Sequence, residues 1–167
     1  KIKELTDKIF RFIFNRFAEL FGLFLIIVSI LLLVSLITYS PEDPNYIVKS
    51  NNDIKNILGY RGSITADFFF QSIGLISFVF ALSIFFTGFN LFKSKNFLLV
   101  IENLFFCILY FITGSLFLSI YYPESHWLIF NGNAGFLGDF LLGDLTLKII
   151  NINKTIFYYI LILLSFL

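Results

Sequence analysis

From residue 43 onward the side chains able to move protons or hold a cation are few: the acids Asp43, Asp53, Asp67, Glu102, Glu124, Asp139 and Asp144, and the lone histidine, His126. General acid–base work needs such groups converging on one substrate, and a transition-metal site needs three or more ligands at recognisable spacing. Neither pattern is present, since no HExxH or CxxC pair occurs. Cys107 is the single cysteine, which excludes an internal disulfide and a Cys-based cluster. Gly132, Gly135 and Gly138 resemble the start of a phosphate-cradling loop, but no Lys-Ser/Thr follows them and no GxxxxGK[ST] run exists. Lys49, Lys55 and Arg61 are too sparse, and too mixed with Asp53, to form a nucleic-acid surface. No residue is therefore expected to be catalytic, cofactor-binding or metal-ligating, and no cofactor is expected in this segment.

The elements that carry these residues follow from composition. The chain is 58% hydrophobic and only 14% charged, with 25 Phe, whereas soluble domains carry about 25% charged residues. Residues 20–41, 68–92 and 103–123 contain no charge at all, and each run exceeds the roughly 20 helical residues that cross a bilayer core of roughly 30 Å. Runs such as GLFLIIVSILLLVSLI (residues 22–37) lack the alternation of a membrane β-strand. The first run is also too long for a signal peptide and has no small-residue cleavage site after it. After Lys154 a further apolar run, TIFYYILILLSFL, reaches Leu167. It rises only about 20 Å, so a fourth span cut short is expected. With no Met and Lys1 at its start, the chain is expected to be part of a longer protein.

The expected fold class is therefore an all-α integral membrane protein, a four-transmembrane-helix anchor with an N-terminal amphipathic helix and a short helix in the second periplasmic segment. Residues 1–17 form the cytoplasmic amphipathic leader and residues 18–167 the anchor. Within it, span one covers 18–38, a loop 39–66, span two 67–92, a turn 93–96, span three 97–120, a periplasmic segment 121–154, and span four starts near 155. In the leader, Ile2, Leu5, Ile9, Ile13 and Phe17 recur at helical spacing opposite Lys1, Glu4, Lys8, Arg11 and Asn15. Lys1, Lys3, Lys8, Arg11 and Arg16 before span one, with Lys93 and Lys95 in the short turn, place the N-terminus in the cytoplasm by charge density.

Local roles follow from position. Pro41 and Pro44 bracket Glu42 and Asp43 in a stiff turn, and Asp67 is expected to cap the first turn of span two. Gly74, Ser77, Ala81 and Gly88 in span two, and Gly114, Ser115 and Ser119 in span three, are candidate packing seams, within one bundle or between protomers. Glu102 is expected to pair with Lys93 or Lys95. Tyr121, Tyr122 and Trp127 read as an interfacial aromatic belt. Phe136, Phe140, Leu141 and Leu145 recur at helical intervals, which predicts a short helix on the outer membrane face.

Two loop motifs, taken in order, are more specific. Span one ends in LITYSPEDPNY, and NNDIKNILGYRGSITADFFFQSIGL follows. The combination resembles the N-terminal four-span domain of the bacterial FtsK/SpoIIIE DNA translocase family. Tyr39, Ser40, Pro41, Asp43 and Pro44 match that family's exit from span one. Asn56, Leu58, Gly59, Gly62, Ala66 and Asp67 match its asparagine-x-x-glycine-x-x-glycine-x-x-x-alanine-aspartate run, and Gly74 its glycine inside span two. The later NGNAGFLGDFLL resembles the family's glycine-rich outer segment at Gly132 and Gly135. Asn133 stands where a glycine or other small residue is expected, and Ser63 where alanine is usual; IININK replaces the small residues before span four.

The resemblance implies a membrane anchor for a cytoplasmic, hexameric, ATP-driven motor on double-stranded DNA, acting at the division septum of the bacterial inner membrane. ATP and Mg belong in that picture to the motor domain beyond residue 167, and DNA is touched only there. The implied partners are the lipid bilayer, other septal division proteins and further copies of the chain. A transporter or channel subunit is the alternative, but it needs a polar path, and the spans offer mainly Ser, Thr, Asn90 and the edge acid Glu102. A structural membrane protein without a motor is the other.

Overall fold

In a soluble helical bundle large aliphatic side chains turn inward; here many of them face outward and small hydroxyl residues share the interior. The computed structural model describes residues 2–45, 53–128, 132–143 and 154–165. These contain helices α1 (Ile2–Ile37), α2 (Gly59–Ile73), α3 (Ile76–Ser94), α4 (Leu98–Tyr121), α5 (Gly135–Leu141) and α6 (Lys154–Ser165). Ser29, Ser35, Ser77, Thr87, Ser115 and Ser119 are buried, while Leu23, Phe24, Ile27, Leu82, Phe86 and Phe105 are exposed. Small hydroxyl residues at helix contacts, with aliphatic and aromatic residues outside, are the distribution expected when the surrounding solvent is lipid.

Three helices, not four, are long and apolar enough to cross a membrane among the described residues: the stretches Lys3–Ile37, Ile76–Ser94 and Leu98–Tyr121. The protein is thus an all-α, multi-pass membrane protein, and the expected four-helix anchor is corrected. Over its described residues helix α6 has 12 residues, about 18 Å of rise, and is not among those three. The expected amphipathic N-terminal helix is corrected as well. Helix α1 is one continuous helix of 36 residues, with no break near residue 17. Ile9, Phe10, Phe12, Ile13 and Phe14 are all exposed, so apolar groups surround this part of the helix instead of lining one face. Helix α5 is short as expected, but Gly135 and Gly138 are buried against α2 and α4, and nothing in it assigns the helix to a periplasmic surface.

Span two, expected over 67–92, also differs. Helix α2 begins at Gly59, inside the expected loop, and stops at Ile73, where Gly74 takes φ +58°. That backbone conformation is open to glycine and strained for other residues, so the apolar run is divided between two helices. Spacing marks Gly74 as a packing residue, and it is one, since a Cβ there would strike the Asn133 backbone; its φ angle adds an effect on the helix that spacing does not show.

Helix α3 then runs along α1. A Cβ placed on Gly22 would lie 2.7 Å from the Gly88 carbonyl oxygen, and one on Gly88 2.7 Å from that of Gly22, so the two backbones touch. Further along, Ser29 Oγ donates to the Ala81 carbonyl at 2.7 Å. The seam containing Ala81 and Gly88 is therefore filled by this chain's own first helix. Interhelical side-chain hydrogen bonds within a bilayer contribute about 0.6 kcal/mol on average. Ser29→Ala should lower stability by about that much in an SDS-denaturation titration of the detergent-solubilised protein.

Helix α3 ends on Lys95 in the left-handed conformation, φ 59°, and α4 returns antiparallel beside it. Lys95 Nζ lies 2.7 Å from Glu19, and Arg16 lies 2.5 Å from the same carboxylate. Lys95 thus pairs with the first helix and not with Glu102, which lies exposed on α4. Phe97 packs on Phe14, Phe17 and Phe21 with ring centroids 5.0, 6.0 and 6.2 Å away. Asn103 Nδ2 donates to Thr87 Oγ1 at 2.7 Å, joining α4 to α3.

Candidate functional site: a clasp at the end of the first span

The motif residues converge where α1 ends, and the turn begins with a buried acid. Asp43 is 2% exposed, and its two carboxylate oxygens accept the backbone N–H groups of Lys55 and Asn56, each at 2.9 Å. A buried carboxylate survives only where such donors replace water. Asn56 completes the closure. Its Nδ2 donates to the Ser35 carbonyl at 2.9 Å, at the last turn of α1. Its Oδ1 accepts the Leu58 N–H at 3.0 Å, and its own carbonyl accepts the Gly59 N–H at 2.8 Å. One asparagine thereby holds a helix end and shapes the turn that opens α2.

The first glycines of α2 serve this closure. Gly59 has φ +65°, and a Cβ on Gly62 would fall onto Asn56 Oδ1. Ser35 Oγ donates to the Gly62 carbonyl at 2.6 Å, and Ser63 Oγ to that of Pro44 at 3.1 Å. Asp67 lies two turns into α2, which overturns its expected role as a first-turn cap. It accepts instead from Tyr39 OH at 3.2 Å and from Gln71 Nε2 at 2.8 Å. Burial, and after it the Asp67 charge, push the Tyr39 phenol above its ordinary range, so it remains a donor. On the rim, Lys55 and Glu42 form an exposed ion pair at 2.5 Å. The Lys55 hydrogen bond holds the Glu42 carboxyl below its usual value; such an exposed pair adds little to stability.

A second layer covers the clasp. Trp127 packs edge-on against Tyr39 and Phe70, with centroids 5.6 and 4.9 Å away, and Leu32, Leu36, Ala66 and Leu128 complete the core there. Trp127 is half-buried and lies against this core from outside. Gly74 and Gly135 meet backbone to backbone: a Cβ on Gly135 would lie 2.8 Å from the nitrogen of Ile73, and one on Gly74 would strike the Asn133 carbonyl. That carbonyl accepts the Leu75 N–H at 2.9 Å. Gly132 has φ +58° and packs on the Pro123 carbonyl.

The motif acids, amides and glycines therefore form one structural knot joining α1, α2, α3 and α5. Ser40 and Pro41 lie in the turn that enters it, and Leu58 immediately precedes α2. Sequence reading missed Ser35, Gln71 and Gly22. Ser35 carried a signal, as a hydroxyl one turn before Tyr39 in an aliphatic run. Two of the three departures from the family pattern make bonds: Ser63 to Pro44, and Asn133, whose Nδ2 donates to the carbonyls of Tyr122 and Glu124 at 2.9 and 2.7 Å; the third, IININK, lies outside the described residues except for Lys154. Among the described residues no group of three His, Cys, Asp or Glu could hold a metal ion.

The family model for the 4TM region of DNA translocase FtsK/SpoIIIE matches residues 15–167. The chain belongs to the FtsK/SpoIIIE family. It is 30% identical over 131 residues to the DNA translocase FtsK of Rhizobium meliloti (strain 1021), covering 78% of this chain and 15% of that protein. It is 31% identical over 128 residues to the DNA translocase FtsK of Bradyrhizobium diazoefficiens (strain JCM 10833 / BCRC 13528 / IAM 13628 / NBRC 14792 / USDA 110), covering 77% of this chain and 16% of that protein. The chain thus spans only a small part of the length of these relatives. No solved structure matches it. The match and the three apolar helices give this segment the membrane-anchoring role within the family.

Proposed function

We propose that this anchor tethers a cytoplasmic, ATP-driven double-stranded DNA motor at the division septum, linking chromosome segregation to cell division. The observation that carries the reading is the family match over residues 15–167. The N-terminus faces the cytoplasm in this reading. Arg16, Glu19 and Lys95 meet at one end of the bundle, which gathers the basic residues of the N-terminal helix and of the α3–α4 turn on one side. The clasp occupies the other end. Residues 1–17 act as the cytoplasmic leader and 18–167 as the anchor. ATP, Mg and DNA are handled by the motor portion of the full-length protein, where a hexamer assembles, and other septal proteins contact the anchor.

The motif residues Tyr39, Ser40, Pro41, Asp43, Pro44, Asn56, Leu58, Gly59, Gly62, Ala66, Asp67, Gly74, Gly132 and Gly135 are in this reading structural: they give the outward end of the anchor a fixed shape. A fluorescent fusion of the full-length protein, followed in dividing cells, tests the function. Enrichment at mid-cell that disappears on deleting residues 15–167 is the expected result. Uniform membrane fluorescence through the whole cycle would sink the proposal.

A further inference from the structure

An apolar trench runs down the outside of the bundle below the clasp. Its main part encloses about 450 Å³. Helix α1 contributes Val28, Leu31 and Ser35 and α2 contributes Arg61, Thr65 and Phe69, each set spaced three or four residues apart and so on one helix face. Phe80 and Ile84 of α3 form its floor, and both also line a second cavity of about 210 Å³ that continues toward α4. One end of the trench is thus polar, level with the last turns of α1, and the rest is hydrocarbon.

The polar end has one group free to bind a ligand. Ser35 and Thr65 donate their hydroxyl hydrogens to the carbonyls of Gly62 and Arg61, at 2.6 and 2.7 Å. Arg61 is exposed, and no acid among the described residues pairs with it. The acids of the clasp are engaged elsewhere: Glu42 by Lys55, Asp43 by two backbone amides, Asp67 by Tyr39 and Gln71. A guanidinium offers a planar fork of donors that fits a phosphate in bidentate fashion. A transmembrane helix, about 10 Å across, could lie over such a trench but not enter it; an extended acyl chain could.

We propose that this trench is a phospholipid site, holding one acyl chain between α1, α2 and α3 with the phosphodiester on Arg61. Because the guanidinium carries an uncompensated charge, an anionic headgroup is favoured over a zwitterionic one. The site lies in the leaflet that meets the C-terminal end of α1, and it would couple the anchor to the local lipid composition.

Native mass spectrometry of the detergent-purified full-length protein, titrated with phosphatidylglycerol or phosphatidylcholine, tests this. One phosphatidylglycerol should be retained in preference to phosphatidylcholine. Arg61→Gln should weaken that retention roughly fivefold, the loss expected for one arginine at an anionic lipid surface, while Arg61→Lys keeps most of it. Leu31 is 47% exposed, so Leu31→Trp should fill the trench without disturbing the fold and reduce retention of both lipids. Equal retention by the wild type and Arg61→Gln, displacement of the lipid by inorganic phosphate alone, or no effect of Leu31→Trp would each overturn the assignment.

Discussion

Replacing Asp43 with alanine should destabilise the anchor by about 3 kcal/mol or more, the largest loss expected from any polar side chain in the clasp. The substitution removes two hydrogen bonds to an ionised acceptor and leaves the N–H groups of Lys55 and Asn56 unpaired in a position closed to water, since Asp43 is 2% exposed. Each stranded amide carries its own desolvation cost, so the loss exceeds what two exposed bonds would cost. Asp43→Asn separates shape from acceptor capacity. It fits the same space, but its NH₂ group must face one of the two backbone donors, so about half the stability loss should remain. An SDS-denaturation titration of both variants reads this directly, and an Asp43→Asn protein as stable as the wild type would mean that the paired acceptor oxygens do not hold the turn. Asn56→Ala should cost less alone and should not add fully to Asp43→Ala, because both act on the same closure.

Much of this clasp was legible in the sequence as a set of residues, and little of it as a shape. Tyr39, Asp43, Asn56, Gly62, Asp67 and Gly74 were singled out by their order, yet their bonds run between segments far apart in the chain: Asn56 to Ser35, Tyr39 to Asp67. Apolar run length identified α1, α3 and α4 because crossing a bilayer imposes a length, and length can be counted. It failed at two places for physical reasons. Gly74 ends a helix in the middle of an apolar stretch through its φ angle, which composition does not reveal. In α1 the leader and the span share one helix: no proline interrupts the hydrogen-bond ladder, and neither Asn15 nor Gly22 ends it. The seams were read correctly as small residues, but their partner was missed: Gly22, a single glycine among bulky neighbours, meets Gly88.

Gly135→Ala should release α5 from the bundle. Gly135 has φ +65°, where a Cβ costs roughly 1–2 kcal/mol in any surroundings. Here the added carbon would also lie 2.8 Å from the Ile73 nitrogen and from the Ser72 carbonyl carbon. Both are backbone atoms of α2, fixed by the helix and unable to rotate away, so the contact is relieved only by separating the two segments. The Leu75 N–H would then lose its bond to the Asn133 carbonyl. A total loss of about 3 kcal/mol or more follows from strain, clash and the stranded amide together. The readout is local: Ala134 is 2% exposed, so in a Cys107→Ser background, which removes the native thiol, a cysteine placed there should be inert to a water-soluble maleimide and react readily once Gly135→Ala is added. Gly143 provides the control on the same segment, since a Cβ there meets nothing within 4 Å, and Gly143→Ala should leave that cysteine protected. If Gly135→Ala also leaves it protected, the backbone crossing of Gly74 and Gly135 is not what seats α5, and the glycine-rich segment must be held by Asn133 through its backbone partners Leu75, Tyr122, Pro123 and Glu124 instead.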